Sequence, residues 1–459
     1  MTNAKRGRST AVGAGLLGLT LLVTACGTGD TGGGGGGGGG TAAGGGADQE
    51  GCEAYEQYQG NEGTTVSMYT SIRDIEADRY IQSFEEFERC TGIDIAYEGT
   101  GEFEAQLNVR VQGGNAPDLA FIPQPGLLAR FVQAGQVVEP PAEVEQNVDE
   151  YWSEDWKEYG SVDGTFYAAP MGANVKSYVW YSPATFSERG YEIPETWDDM
   201  IALSDQMVAD GLDPWCAGIE SGDATGWPAT DWLEDVMLRE HGPDVYDQWV
   251  ANEIPFDDPQ VVQALDRVGE ILKNEEYVNS TFGGVQSIVT TSFQDGGLPV
   301  ATGECGMHRQ ASFFANQWPE GTTVAEDGDV FAFYLPTIGG GDERPVLGGG
   351  EFVAAFSDRP EVQAVQTYLT SPEYHNLKAS IGDWISAHQG LETESVESPI
   401  DQLSVETLQD ENAVFRFDGS DLMPAAVGAG TFWRGMVEWL NGAESQQVLS
   451  NIEQSFPAS

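Results

Sequence analysis

The chain has 459 residues, and 74 acidic residues against 20 basic ones give it a formal net charge of −54 at pH 7. A surface this acidic repels phosphate backbones and anionic lipid headgroups. We therefore expect no nucleic-acid partner, and any attachment to a membrane must come from something other than surface charge.

Residues 1–25 predict the signal peptide of a secreted lipoprotein. A cationic start precedes an apolar run at 11–23, which is shorter than the about 20 residues that a membrane-spanning helix needs. Small residues then lead to Cys26, as at a lipoprotein cleavage site, although Val23 stands where Leu is commoner. We expect cleavage after residue 25 and a lipid on the Cys26 sulfur. An ordinary signal peptide is the alternative.

Residues 26–51 predict a lipidated cysteine followed by a flexible tether. The segment is rich in Gly, Thr and Ala and includes nine consecutive glycines at 32–40. Such a composition cannot bury an apolar core. A tether behind a lipid anchor places the folded part of the chain at the extracellular face of a cell membrane.

From residue 64 onward, short apolar strands alternate with amphipathic helices. The pattern predicts strands at 66–70, 93–97 and 118–122, with helices between them. This alternation is typical of a parallel sheet that is covered by helices on both faces. Ligands of such sheets bind beyond the carboxyl ends of the strands. That rule selects Tyr69, Thr70 and Ser71 after the first strand, and Pro123, Gln124 and Pro125 after the third.

A second region of the same kind begins near residue 174. Thr196 and Asp199 predict the capped start of a helix. A strand is predicted at 215–219, a helix at 227–239, another helix from Asp258, and a short strand within 303–310.

The segment around residues 227–232 combines aromatic and acidic side chains. Trp227 and Asp231 come within one helical turn of each other, followed by Trp232. A sugar offers an apolar C–H face to an aromatic ring and hydroxyl groups to polar side chains. The segment is therefore a candidate sugar site. Tryptophans near a helix start are also common in protein cores, and we expect Trp232 to belong to the core.

The last part of the chain predicts further strands and helices. Strands are expected at 330–335 and 352–356 with a glycine-rich turn at 348–351 before the second of them, and helices at 360–369 and 431–440. About 400 folded residues are too many for a single core, so two domains are expected.

Several short motifs occur along the chain. They are Asn115-Ala116-Pro117-Asp118, Pro194-x-Thr196-Trp197-Asp198, Gly172-Ala173-Asn174, the segments 226–232 and 307–313, Gly348-Gly349-Gly350, Ser371-Pro372-Glu373 and the late aromatic helix. In this order they resemble the extracellular solute-binding proteins (family 1) of carbohydrate ABC importers, and within them the α-glucoside-binding subfamily. The similarity covers essentially the whole chain from about residue 66 to its end.

The resemblance implies an α/β chain with a two-lobed periplasmic-binding-protein-like fold of type II, a hinge between the lobes and the ligand in the cleft. It implies a first lobe of 52–173 plus 330–375 and a second lobe of 174–329 plus 376–459. Four cysteines follow Cys26 and allow three pairings. We predict Cys52–Cys90 and Cys216–Cys305, because each disulfide then stays within one lobe and does not oppose closure.

Transfer of the family pattern implies a set of cleft contacts. The first lobe is expected to supply Tyr69, Thr70, Pro123, Gln124, Gly349 and Glu351, and the second lobe Asn174, Trp227, Asp231, Arg309, Gln310, Phe313 and Trp433. Phe313 stands where related maltose-binding proteins often have Trp, which makes Trp433 the better candidate for stacking on a sugar.

Each of these residues also has a purely structural interpretation. Arg309 could pair with a neighbouring acid, Glu351 could be solvated, Asn174 could be a hinge residue, and Trp433 could belong to the core. Among the histidines, His308 is expected to be structural. The other three are expected in surface segments: His241, His375 and His388.

The resemblance predicts a receptor that binds an α-glucoside of the maltose, trehalose or sucrose type and delivers it to permease subunits. It is expected to be a monomer without catalytic residues, cofactor or metal, and to contact the membrane only through its lipid anchor. Two alternatives stay open. One is a lipoprotein glycoside hydrolase, which needs two carboxyl groups across the sugar. The other is a receptor of the same fold for a different polar solute.

Overall fold

The computed structural model describes residues 51–279, 283–339, 343–392, 396–410 and 412–457. The predicted signal peptide, Cys26 and all but the last residue of the predicted tether lie outside these residues. Twelve strands are described: β1 (Thr65–Thr70), β2 (Asp94–Gly99), β3 (Leu119–Ile122), β4 (Ser161–Val162), β5 (Thr165–Phe166), β6 (Ala168–Val175), β7 (Tyr178–Tyr181), β8 (Asp213–Trp215), β9 (Cys305–Arg309), β10 (Phe331–Tyr334), β11 (Arg344–Ala355) and β12 (Ala413–Phe417).

The helices alternate with these strands. They are α1 (Asp74–Thr91), α2 (Phe103–Gln112), α3 (Pro125–Gln133), α4 (Ala142–Tyr151), α5 (Glu154–Tyr159), α6 (Pro183–Arg189), α7 (Trp197–Ala209), α8 (Trp227–His241), α9 (Pro243–Val250), α10 (Pro259–Leu272), α11 (Phe293–Gly297), α12 (Pro360–Leu369), α13 (Pro372–Ile381), α14 (Pro399–Gln409), α15 (Gly419–Leu422), α16 (Trp433–Leu440) and α17 (Ser445–Glu453). Thr196 and Asp199 form the predicted capping box of α7.

The strands form two main sheets, and these define two lobes. The first sheet has the order β12-β11-β3-β1-β2, with β6 also paired to β11. Strands β1, β2 and β3 are parallel, as the sequence predicts. The second sheet has the order β10-β7-β9-β8. The α/β, two-lobed fold expected from the sequence is therefore present.

Strand β11 shows why one predicted turn is wrong. Residues 348–351 do not turn but continue the strand, which pairs with β12 and β3 on one side and with β6 on the other. A Cβ atom on Gly350 would lie 2.4 Å from the carbonyl oxygen of Gly172 in β6. These glycines thus permit close backbone approach rather than a change of direction.

Two other local expectations also differ from the structure. The strand predicted at 215–219 ends at Trp215. His375 and His388, expected at the surface, are buried and stack on each other with ring centroids 4.4 Å apart. His308 is buried as expected, and its Nδ1 lies 3.0 Å from the carbonyl oxygen of Cys216.

The predicted disulfides Cys52–Cys90 and Cys216–Cys305 are both present. The first joins the start of the folded region to α1, and the second joins the segment after β8 to β9. The sheets of two strands differ from the predicted lobes. Strand β10 falls in the range predicted for the first lobe but lies in the second sheet, and β12 falls in the range predicted for the second lobe but lies in the first sheet. The boundaries at residues 173, 329 and 375 stay a prediction.

Candidate functional site

A cleft opens between the lobes at the carboxyl ends of β1, β2 and β3. It contains about 1030 Å³ of empty space including its open mouth, and clefts between domains are common sites for small-molecule ligands. Its main polar and aromatic lining residues are Ser71, Arg73, Asp74, Glu76, Glu104, Gln124, Asn174, Lys176, Ser221, Trp227, Phe293, Gln294, Phe313, Gln317, Glu351, Asp418, Ser420, Asp421 and Trp433.

Aromatic rings form the wall of the cleft on the second lobe. Trp227 opens α8, and its ring centroid lies 5.1 Å from that of Phe293 and 6.1 Å from that of Phe313. Trp433 opens α16, lines the same cleft and has no hydrogen-bond partner for its indole N–H among the described residues. The wall thus offers apolar faces together with a free donor.

The wall on the first lobe is rich in hydrogen-bond acceptors. Gln124 follows β3, and its Nε2 donates to Glu104 Oε1 over 3.0 Å. The Oε1 atom of Gln124 and the Oδ1 atom of Asn174 are buried without a partner among the described residues. Buried acceptors without partners are uncommon in proteins, so these two amide oxygens are available to a ligand that donates hydrogen bonds.

Three partly exposed carboxyl groups on this wall have raised pKa values. Desolvation raises the pKa of Glu76 to about 8, and the neighbouring Glu351 carboxyl adds to the shift. Desolvation also raises the pKa of Glu351 to about 7, and it raises the pKa of Glu104. A protonated carboxyl can both donate and accept a hydrogen bond, which suits recognition of hydroxyl groups.

Lys176 supplies a positive charge at the base of the cleft. Its Nζ atom lies 3.1 Å from Asp231 Oδ1 and also pairs with Asp418. Burial acts to lower the pKa of Lys176, but these two carboxylates raise it well above its ordinary value. The ammonium group also lies 5.4 Å from the centroid of the Trp227 ring, so the charge and the aromatic wall are adjacent.

Arg309 and Asp235 extend this charged cluster behind the wall of the cleft. Arg309 Nη2 lies 2.6 Å from Asp235 Oδ2, and Arg309 Nη1 lies 3.2 Å from Asp231 Oδ2. All three side chains are buried. Arg309 therefore pairs with acids, as its structural interpretation expected, although inside the protein rather than on its surface.

Eight of the thirteen predicted contacts line the cleft: Pro123, Gln124, Asn174, Trp227, Phe313, Gly349, Glu351 and Trp433. The other five lie behind the lining. Tyr69 packs on Phe103, and Thr70 Oγ1 accepts from the backbone N–H of Ile72. Gln310 Oε1 accepts from the N–H of Ala311, and Asp231 and Arg309 belong to the buried cluster. Binding by any of the thirteen stays a prediction.

Sequence reasoning missed several lining residues. Ser71, which the carboxyl-end rule selects, lines the cleft, whereas Pro125, which it also selects, is not among the lining residues. Four further lining residues follow Ser71 and were not predicted: Ile72, Arg73, Asp74 and Glu76. Phe293 and Lys176 carried no local signal, since their positions depend on how the two sheets are joined. Trp232 packs against Trp215 in the core, as the sequence predicts.

One group of carboxylates has a geometry that could hold a metal ion. Oxygen atoms of Asp231, Glu234 and Asp418 lie within 4.8 Å of one another. Lys176 pairs with two of the three and so already supplies positive charge to the group. The expectation of a protein without a metal cofactor stays a prediction.

These features define a class of protein: a two-lobed α/β binding protein with its ligand site between the lobes. Comparison with known families agrees with this class. The sequence profile described as "Bacterial extracellular solute-binding protein" matches residues 74–376. The chain belongs to this family and is a solute-binding receptor of an ABC importer.

Two characterised relatives match most of the chain. One is the osmoprotective compounds-binding protein GgtB of Synechocystis sp., 42% identical over 82% of this chain and 88% of the relative. Another is the alpha-glucosides-binding periplasmic protein AglE of Rhizobium meliloti, 35% identical over 88% of this chain and 89% of the relative. Both are named as binding proteins rather than as enzymes.

Solved structures support the same fold. The bacterial solute receptor AcbH, reported to prefer b-D-galactopyranose exclusively, matches with a TM-score of 0.72 at 19% identity, over 86% of this chain and 97% of AcbH. Maltose-bound MalE3 of T. maritima matches with a TM-score of 0.66 at 17% identity, over 85% of this chain and 98% of its own. At these identities the likeness shows the fold. Within the described residues, no helix has both the length and the apolar character needed to cross a membrane.

Proposed function

We propose that the protein is a lipid-anchored receptor that captures α-glucosides outside the cell and delivers them to the permease of an ABC importer. The observation that carries this proposal is the cleft itself. Its aromatic wall of Trp227, Phe293 and Phe313 faces a wall of carboxyl and amide acceptors. A pyranoside needs this combination, because its C–H face packs on rings while its hydroxyl groups donate hydrogen bonds.

The α-glucoside specificity is supported by the relative AglE, whose name gives alpha-glucosides as its ligands and which matches 88% of this chain. Attachment through Cys26 is supported by the lipoprotein-like start of the chain. The acidic surface does not attract anionic lipids, so the anchor is needed to hold the receptor beside its permease.

Binding is proposed to work by closure of the two lobes on the sugar. A ligand that contacts both walls has more favourable contacts when the lobes are together, and it stabilises the closed form by its differential affinity for the two forms. The permease would recognise the closed form, and no bond in the sugar is made or broken.

A second candidate is a receptor for another polar solute. The relative GgtB is named for osmoprotective compounds and is 42% identical. Hydroxyl-rich solutes other than α-glucosides would use the same acceptors, including Gln124 Oε1 and Glu351. The two candidates differ in the ligand and not in the fold.

The proposal is tested by calorimetric titration of the purified protein with maltose, trehalose and sucrose, using a polyol and a zwitterionic solute as comparison ligands. We expect saturable binding of at least one α-glucoside, recovered unchanged by chromatography. Binding of only the comparison ligands would favour the second candidate. Release of glucose would instead identify a glycoside hydrolase that uses carboxyl groups of the cleft, such as Glu76 and Glu351.

A further inference from the structure

The chain passes between the two lobes at three segments, and backbone hydrogen bonds join these segments to one another or to β11 beside them. Residues 176–177 connect β6 to β7, Leu335 follows β10, and Asp418 follows β12. The N–H of Leu335 donates to the carbonyl oxygen of Ser177 over 2.9 Å. The N–H of Lys176 donates to Leu347 over 2.7 Å, and that of Asp418 donates to Gly348 over 2.8 Å. When one lobe moves against the other, the backbone dihedral angles of these segments must change.

Helix α8 of the second lobe makes hydrogen bonds to all three segments through buried side chains. Asp231, Asp235 and Arg239 follow one another at intervals of four residues, and all are buried, so they lie on the same side of the helix. Asp235 accepts from the Ser177 hydroxyl over 2.7 Å, and Arg239 Nη2 donates to the carbonyl oxygen of Leu335 over 3.1 Å.

Glu234, on the same helix, holds the third segment. Its carboxyl oxygens accept from the N–H groups of Gly419 and Ser420 over 3.0 and 3.1 Å. Asp418 precedes these two residues and pairs with Lys176. Lys176 thus lies where the first segment, the third segment and α8 meet.

Among the charged residues of this network, Lys176 and Asp418 line the cleft, and Lys176 is the hydrogen-bond donor of the two. An ammonium group has three N–H donors, and the hydrogen bonds of Nζ to described residues go to Asp231 and Asp418. The third donor is left for a group in the cleft. A Cβ atom on the cleft-lining Gly349 would lie 3.2 Å from Lys176 Cε, so the strand leaves room for the lysine to reach the site.

We propose that Lys176 is a ligand-binding residue that couples occupancy of the cleft to the hinge, with Asp231 and Asp418 as positioning residues that aim its ammonium group. Lys176 donates to an oxygen atom of a polyhydroxylated ligand, on a wall that otherwise offers mainly acceptors. The inference rests on the proposed function for the chemical class of that ligand. Asp231 lies on α8 of the second lobe and Asp418 lies in the third connecting segment, so a contact with the ammonium group acts on the hinge directly.

The first test replaces Lys176 with Met, which keeps the length of the side chain and removes its charge. Using the sugar that the wild-type protein binds, we expect calorimetry to show about 10- to 100-fold weaker binding, as for loss of a hydrogen bond from a charged group. Lys273→Met is the matched control, because Lys273 Nζ also lies over an indole ring, that of Trp439, at 4.8 Å, but away from the cleft. Equal affinities of the Lys176 variant and the wild type would overturn the assignment.

Positioning by Asp231 is tested with Asp231→Asn alone and in the Lys176→Met background. If Asp231 acts through Lys176, the single Asp231 variant binds the sugar more weakly, whereas the double variant binds no more weakly than Lys176→Met. The double variant removes one buried charge of each sign and leaves neither of the two unpaired. It is therefore expected to fold even if Lys176→Met alone does not, and its sugar affinity then provides the test. The proposal is contradicted if the affinity losses of the two single variants add in the double variant, or if the double variant binds the sugar as tightly as the wild type. A wild-type protein that binds no sugar of the panel contradicts the proposed function itself.

Discussion

Trp227 lies at the centre of the aromatic wall of the cleft. Its ring lies next to those of Phe293 and Phe313 on that wall and under the Lys176 ammonium group. It is partly exposed to the cleft, whereas Trp433 is 3% exposed. The ring that is open to solvent in the ligand-free protein is the better platform for a sugar, so Trp227 takes precedence over Trp433 as the stacking residue.

Trp227→Ala is therefore expected to weaken sugar binding by about 10-fold or more, since an aromatic contact contributes about 0.5–1.5 kcal/mol beyond the apolar area that it buries. Calorimetric titration measures the change. Tyr181→Ala is the control, because Tyr181 also belongs to a group of three aromatic rings in the second lobe but does not line the cleft. Unchanged affinity in the Trp227 variant would contradict the stacking role.

Glu351 makes the stability of the ligand-free protein depend on pH. Desolvation raises its pKa to about 7, so the folded protein keeps a proton that the unfolded chain loses above about pH 4.5. Stability contributed by this group is present at low pH and is lost as the pH rises from about 4.5 through about 7. The slope for one such proton is at most about 1.4 kcal/mol per pH unit.

Glu351→Gln is expected to flatten the fall in unfolding free energy over that pH range. The variant also removes the charge that raises the pKa of Glu76, which reduces the slope further. Denaturant unfolding of both proteins at several pH values measures the effect. Glu85→Gln on the exposed side of α1 is the control. A steeper fall in the Glu351 variant would show that the carboxyl is ionised in the folded protein.

At the scale of the element, α8 contributes to both the cleft and the hinge, and its position depends on the glycine before it. Gly226 has a φ of +118°, and a Cβ atom there would lie 2.2 Å from the carbonyl oxygen of Trp433. The start of α8 and the start of α16 are thus in backbone contact. This contact sets the distance between Trp227 and Trp433 on the wall of the cleft.

Gly226→Ala is expected to lower both the unfolding free energy and the sugar affinity, because the two backbones must separate. Gly190→Ala at the end of α6 is the control: its φ of +70° and ψ of +34° lie in the left-handed helical region, and nothing lies within 4 Å of the added Cβ. The control should lose only the about 1 kcal/mol that an alanine pays for positive φ. If both variants lose the same amount, the contact between the two helices is not important.

The same comparison of elements shows what the sequence can and cannot predict. Strands β1, β2 and β3 were predictable, because each is a short apolar run between polar helices and the pairing of neighbours follows from that order. Strand β11 was predicted only in part, since its glycines have no side chains to show which face is buried. Lys176 was missed because its neighbours Asp231 and Asp418 are distant in sequence.

The buried face of α8 did carry a signal. Asp231, Asp235 and Arg239 share one side of a helix that the sequence predicted, and a charged stripe is usually interpreted as a solvated face. Only the two sheets and the three connecting segments show that this stripe faces inward. The spacing of these three residues was available in the sequence, but their burial was not.

At the scale of the whole molecule, the excess of acidic residues opposes folding. With 74 acids and 20 bases in the chain, most carboxylates have no basic partner to offset their mutual repulsion. Compact folding brings these charges together, and self-repulsion of this kind destabilises the folded state. The repulsion is screened by salt, because exposed charges interact weakly beyond the Debye length.

The melting temperature of the ligand-free protein is therefore expected to rise by a few degrees between about 0.01 M and about 1 M NaCl, over which the Debye length falls from about 30 Å to about 3 Å. The buried pairs of Lys176 and Arg309 are little affected by salt, because burial protects them from screening. Differential scanning calorimetry measures the rise, and KCl should give the same rise if screening is the cause. A fall in melting temperature would show that exposed ion pairs, such as Arg416 with Asp247, contribute more to stability than the repulsion costs.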